Sequence, residues 1–408
     1  MQLSVAPVRR IAEPFAASGY PALWLGAVLT ATAMWIERVA IGWYIFDETD
    51  SAFLTSAAVS AQMGAGFFFG PLGGAIADRA SRPRVLSLAI GGRALTILGL
   101  AVLTAVASGS MLAVFALLAG GGIAQTLHFS SLQTLSADLV GHERRAGAIS
   151  LVSIGQRAVS AAGALGSGFM VTALGPTFAL AIAATCTGLG ALAYQRIREP
   201  RERHRVADVS LLKDTVEGLR LVGRVPLVAL LLGLMLVIEV FGYAFFALTP
   251  AIADRVLHVG VEGLGGLNAA TPIGGVFALA FLAAYSSRLR LGVAFLVVYF
   301  WFGAMVMLVG AAPWYVVSLL AAGGIGACAA LVDALQWIML QGSVDERLRG
   351  RALGAWNLTI GIGWIVGPLT MGAFADAASV TVAFATAGSI VMATALLSLL
   401  VSRRLRAA

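Results

Sequence analysis

Twelve apolar runs take up most of this sequence: residues 21–46, 53–76, 85–107, 111–135, 147–171, 177–195, 226–250, 264–286, 291–311, 313–340, 352–374 and 380–402. Each is near or above the ~20 residues that cross ~30 Å of hydrocarbon as a helix. Inside a bilayer the backbone must satisfy its own hydrogen bonds, which leaves helices or a closed barrel. The runs are continuous and do not alternate in short segments, so helices are expected and not a barrel. Only 12% of the 408 residues are charged and 59% are hydrophobic, with mean hydropathy +0.91. That is too little charge to cover a water-soluble surface. The sequence predicts an all-α membrane protein with twelve transmembrane helices.

The net charge of +7 is a matter of topology. Of the 27 basic residues, Arg38, Arg93 and Arg157 fall inside runs and Arg255 alone falls on one side of the membrane. The other 23 share the side of both termini. Excess Lys and Arg mark the cytoplasmic side, so both termini are expected in the cytoplasm and no nucleic-acid partner is implied. Arg9, Arg10, Glu13 and Pro14 precede a first run that is long and lacks a cleavage pattern, so that run is expected to stay as an anchor and working helix. Cys186 and Cys328 lie within apolar runs, far from any metal or redox spacing, and read as small buried residues.

Between runs 2 and 3 stands Gly74-Ala75-Ile76-Ala77-Asp78-Arg79-Ala80-Ser81-Arg82-Pro83-Arg84, with four charges in one short turn. Its G-x-x-x-D-R-x-x-R spacing resembles the signature loop between helices 2 and 3 of the major facilitator superfamily, with Ser81 and Pro83 in place of the usual Gly and basic residue. The resemblance implies a major facilitator fold, twelve helices in two pseudo-symmetric six-helix bundles. The longest polar stretch divides the chain accordingly into residues 1–195, a cytoplasmic linker 196–225 and residues 226–408. Residues 209–222 of the linker carry helical apolar spacing with charges opposite, as in a helix lying on the membrane face. A weak repeat relates Val140–Ala148 to Val344–Ala352, and Glu37 to Glu239. The counterpart loop, Ser286-Ser287-Arg288-Leu289-Arg290, has no Asp. An ionic latch of Gly74, Asp78, Arg79 and Arg82, closing against Arg351 on the cytoplasmic side, is therefore expected in one half only.

Ionisable groups inside the membrane cost at least ~2.5–3.5 kcal/mol at mid-helix and call for a partner or a role. Glu37 lies in run 1, His128 in run 4, Glu239 in run 7 and Asp333 in run 10. In the superfamily these runs line the central cavity, so the resemblance implies a proton-coupling and substrate site of Glu37, Arg38, His128, Glu239 and Asp333. Poor solvation favours the neutral carboxyl and an arriving cation favours the ionised one, which is the chemistry of proton coupling. The plainer alternative is a carboxylate neutralised by an arginine for packing, or a structural histidine. Arg38 points about 100° away from Glu37 on a helix and needs another partner. Arg157 is too deep to reach water easily and is expected to meet a structural or gating partner. Arg93 is expected to extend to the cytoplasmic interface.

Glycines of runs 2, 5 and 11, among them Gly66, Gly70, Gly163, Gly166, Gly363 and Gly367, permit close helix approach along a moving seam. Trp35, Tyr243, Phe246, Trp337, Trp356 and Trp364 are candidates to line an apolar cavity. No metalloprotease or phosphate-loop motif is present and no extramembrane region could hold a catalytic domain. The chain is expected not to be an enzyme and to need no cofactor or metal. Residues 35–43, the loop after run 2 and Asp345–Ala352 resemble the enterobactin-exporter-like branch of siderophore and multidrug efflux. That branch implies a monomer of the bacterial inner membrane, meeting lipids, protons and a small-molecule substrate. The function expected is proton-coupled export of amphipathic molecules. Two alternatives remain: a facilitator or symporter importing a small metabolite or lipid-like molecule, and a non-transporting receptor or scaffold indifferent to loss of the buried carboxyls.

Overall fold

The computed structural model describes residues 13–198 and 225–402, apart from 80, 107–109, 141–144, 286–289 and 346–347. Of 71–79, 145 and 146 it describes the backbone alone. The linker helix expected over 209–222 lies outside the described residues.

The described chain is a succession of long helices: α1 Tyr20–Thr49, α2 Ala52–Arg79, α3 Arg82–Ala105 and α4 Met111–Asp138, then a run Arg145–Gln195. There follow α7 Pro226–Val256, α8 Gly260–Tyr285, α9 Leu291–Ala311, α10 Tyr315–Gly342, α11 Arg349–Ala377 and α12 Val380–Val401. The run Arg145–Gln195 has 51 residues, which as one straight helix would measure about 75 Å, more than twice the hydrocarbon thickness. It is broken at Gly175, whose φ of 80° and ψ of 163° are open to a residue without Cβ. Pro176 then starts the next helix at the position where its missing N–H costs nothing. The run is thus α5 (145–174) and α6 (176–195), which brings the helices long and apolar enough to cross a membrane to twelve among the described residues, in keeping with the twelve apolar runs.

The helices gather into two compact units, one of residues 1–41 and 61–207, the other of 42–60 and 208–408. In the first, Tyr20, Leu23, Leu86, Ile90, Leu135, Val152, Tyr194 and Ile197 form a buried core. Buried side chains there bond to backbone carbonyls of neighbouring helices, since no water is at hand to satisfy them. Tyr20 Oη donates to the Ala148 carbonyl at 2.7 Å and Ser87 Oγ to that of Ala191 at 3.0 Å. In the second unit Tyr299 Oη donates to the Leu234 carbonyl at 2.7 Å, tying α9 to α7, and Gln336 on α10 donates to the Leu231 carbonyl.

Helix α7 is jointed. Its α-helical turns are interrupted by π-helical turns at Ile238–Gly242 and at Ile252–Val256. Such turns are rare and concentrate at functional sites. The first of them carries Glu239.

Candidate functional site

Charge is buried in both units, and it is handled in opposite ways. In the first, Glu37 of α1 is 3% exposed and Arg93 of α3 is also 3% exposed. Arg93 Nη2 meets Glu37 Oε2 at 2.6 Å, Gln62 Nε2 of α2 donates to Glu37 Oε1 at 3.0 Å, and Arg93 donates also to Gln125 of α4. Four helices thus meet in one neutral network in which both carboxylate oxygens are used. The expectation that Arg93 extends to the interface is corrected: with an acid one helix away, pairing replaces the hydration it gives up.

In the second unit Glu239 is 4% exposed, and its Oε2 has no hydrogen-bond partner among the described residues. Its surroundings are acidic and aromatic. Asp333 of α10 is near enough to repel it, and the Trp364 indole of α11 stands beside the Glu239 side chain. Tyr243, one turn on in α7, donates from its hydroxyl to Asp333 Oδ1 at 3.0 Å. The rings of Tyr243, Phe246 and Trp364 form a triangle with centroids 5.9, 6.2 and 6.3 Å apart and planes inclined by no more than 39°. Phe302 of α9 stands against Tyr243 at 5.6 Å. A Cβ on Gly363 would overlap the Glu239 side chain, and one on Gly367 would lie 2.7 Å from the Val240 carbonyl oxygen. These two glycines let α11 press on the π turn and fix where the carboxylate sits.

A third polar cluster lies at the opposite end of the second unit's helices from the C-terminus. Arg255 reaches Asp50 at 3.1 Å and Asp376 at 2.9 Å and lies over the Phe46 ring at 5.2 Å. Asp376 also accepts the N–H groups of Ala52 and Phe53, at 2.9 and 2.8 Å, and the Ser51 hydroxyl at 2.7 Å. It therefore caps the N-terminus of α2, where the helix dipole favours an anion. Sequence reasoning passed over Asp50 and Asp376, although Arg255, the lone basic residue of its side, was a signal.

The remaining expected residues are placed as follows. Arg38 is half-buried with its guanidinium 5.5 Å from the Trp35 ring centre. His128 is 2% exposed, its Nε2 3.0 Å from Tyr194 Oη and its Nδ1 without a partner among the described residues. Arg157 is exposed on α5, and its side chain meets no partner among the described residues. Of the expected latch, the side chains of Gly74, Asp78 and Arg79 lie outside the described residues. Arg82 pairs with Asp138 at the end of α4, a partner the sequence reading did not name, and Arg351 is half-buried near the start of α11. No group of His, Cys, Asp and Glu among the described residues could hold a metal ion.

A family model described as Major Facilitator Superfamily matches residues 23–347. The chain is 27% identical over 364 residues, 86% of its length and 84% of the relative's, to "Enterobactin exporter EntS" of Shigella boydii serotype 4 (strain Sb227). Among solved structures it resembles the nucleoside transporter NupG, with TM-score 0.77 and 14% identity over 94% of this chain and 98% of that one. It also resembles the peptide transporter POT in complex with sulfate, with TM-score 0.76 and 13% identity over 95% of each. At such identities these structures speak for the fold alone.

Proposed function

The chain belongs to the Major Facilitator Superfamily, and on that premise we propose that it is a proton-coupled secondary exporter of amphipathic small molecules, drug-like or siderophore-like. It is a multi-pass membrane transport protein and not an enzyme; the export direction, the proton and the cargo are the proposal. The observation that carries it is the contrast between the two buried glutamates. Glu37 is neutralised by Arg93, whereas Glu239 keeps an oxygen without a hydrogen-bond partner among the described residues, beside a second acid and a wall of aromatic rings. A carboxyl so placed exchanges a proton for a ligand: the proton makes it neutral when the site is empty, and a bound molecule replaces the proton. Likeness to a protein named as an exporter supports the direction.

In this reading the halves 1–195 and 226–408, joined by the linker 196–225, alternate about the site. The protein sits in a bacterial inner membrane with both termini in the cytoplasm. Protons from outside reach Glu239 and Asp333 and favour return to the inward-open state, and loading from the cytoplasm releases them. Glu37 and Arg38 belong to the first half's wall, and His128 braces α4 against α6 through Tyr194. The turn around Asp78, Arg79 and Arg82 closes the cytoplasmic side against the start of α11 near Arg351. The Arg255 cluster holds the outer ends of α1, α2, α7 and α11.

The test is transport by the full chain in proteoliposomes with a pH-sensitive dye and a panel of amphipathic compounds. An imposed proton gradient should drive a compound against the proton flow, and Glu239→Gln should abolish that drive. An importing symporter would move its substrate with the proton. Substrate movement without any proton signal, or an unchanged Glu239→Gln, rejects the coupling.

A further inference from the structure

We propose that the cavity between the start of α3 and the end of α6 binds the phosphate headgroup of an anionic phospholipid, taken from the leaflet on the side of the two termini. The site lies wholly within the first unit. It is independent of what the protein moves and in which direction.

Three observations carry it. First, a cavity of about 530 Å³ is lined by Ser81, Arg84 and Leu88 at the start of α3 and by Gln195 and Ile197 at the end of α6. Ordinary ligand clefts span ~300–1,000 Å³, and none of the residues lining this one is acidic. Ser87 Oγ, also in its wall, donates to the Ala191 carbonyl at 3.0 Å, so the two helices that flank the cavity are tied together. Second, the cations here are unpaired. Arg82 pairs with Asp138, whereas Arg84 is exposed and has no ion pair among the described residues. Arg196 and Arg198, on either side of the buried Ile197, are likewise exposed and unpaired among the described residues. The guanidinium fork matches phosphate oxygens in geometry as well as charge. Third, polar and apolar groups are arranged in sequence along both helices. From Arg84 the exposed residues of α3 continue as Leu88, Gly92, Leu95, Leu98 and Val102, in steps of three or four that keep to one helical face. From Gln195 back along α6 they are Leu192, Leu189 and Thr185, again on one face. Each track runs from a polar head into the hydrocarbon. A soluble anion would use the heads alone, whereas a phospholipid matches the heads with its phosphate and the tracks with its chains. The absence of acid from the wall favours a lipid of net negative charge over one whose headgroup also carries a cation.

Native mass spectrometry of the purified full chain gives the dissociation constant of the first molecule bound. Three probes separate the sources of phosphate: dioleoylphosphatidylglycerol, dioleoylphosphatidylcholine with the same chains and no net charge, and glycerol 1-phosphate with no chains. The anionic lipid is expected to bind tightest, and Arg84→Gln to weaken it about fivefold. Arg290→Gln removes an exposed charge beside the start of α9, in the second unit, and should leave that binding unchanged. Leu88→Ser keeps every charge but interrupts the track, and should weaken the lipid about threefold. Thermal unfolding of each variant without added lipid reports that it is folded, and Leu88→Ser carries the test should Arg84→Gln not fold. Equal binding of the two lipids overturns the inference in favour of apolar contact alone. Glycerol phosphate as tight as the anionic lipid overturns it in favour of a soluble phosphate. Equal effects of Arg84→Gln and Arg290→Gln, or unchanged binding in folded Leu88→Ser, overturn it in favour of diffuse surface charge.

Discussion

Glu37 and Glu239 occupy related places in α1 and α7, and both are withdrawn from solvent. Around Glu37 the protein has supplied an arginine and two glutamines from three further helices. Around Glu239 it has supplied an acid and aromatic rings, and Phe302 stands as far into α9 as Arg93 stands into α3. A buried charge without its partner is expensive, and a buried pair roughly balances its own desolvation. The first arrangement is thus self-contained and the second incomplete. The two buried glutamates are put to different uses, one tying helices together and one keeping an oxygen without a bond among the described residues.

The comparison can be broken most sharply at the closed pair. Glu37→Gln strands Arg93 in the membrane and is expected to cost about 3–5 kcal/mol, read as a fall in thermal unfolding temperature and in membrane abundance. The double change Glu37→Gln with Arg93→Met should recover most of that loss, since an apolar replacement of a whole buried pair is near neutral. A smaller effect is expected at the frame of the open site. Gly363→Leu drives a side chain into the Glu239 stem, costing about 1–3 kcal/mol by overpacking, read as a fall in thermal unfolding temperature. Next, Asp376→Ala removes the cap of α2 and one acid from Arg255, an expected loss of about 0.5–2 kcal/mol in unfolding measurements. Smallest of all, Glu239→Gln should leave stability within about 1 kcal/mol of the parent, or raise it. A Glu239→Gln protein as unstable as Glu37→Gln would erase the distinction between the two glutamates.

Much of the fold was legible because hydrocarbon imposes length and continuity on any chain that crosses it. The runs from 21–46 to 380–402 foretell α1 to α12, including the break between run 5 and run 6 that Gly175 and Pro176 produce. The extent of α7 was less legible. It continues through Pro250 to Val256 by way of π turns, which hydropathy does not register. The chemistry was legible by residue and not by partner. Glu37, Glu239 and Asp333 stand out as charges in apolar runs, but nothing in spacing says that Arg93 turns inward to Glu37. That depends on which faces of α1 and α3 meet, and the same holds for Arg82 with Asp138. Gln62 and Gln125, uncharged and unremarkable in sequence, emerge only as hydrogen-bond partners. Asp376 reads as an ordinary helix-end acid until Arg255 and the start of α2 converge on it.

The π turn at Ile238–Gly242 also has a genetic side. It holds one residue more than the α turn it replaces, so the loss of a single codon within it would restore an ordinary helix. The five residues of the π turn and four of an ordinary α-helix carry the chain through nearly the same angle, so Tyr243 and Phe246 beyond it would keep their face while Glu239, inside the turn, would shift. Point substitutions can retune this wall residue by residue. A one-residue deletion inside the turn would instead displace Glu239 and spare the rings beyond it, leaving a helix that still crosses the membrane.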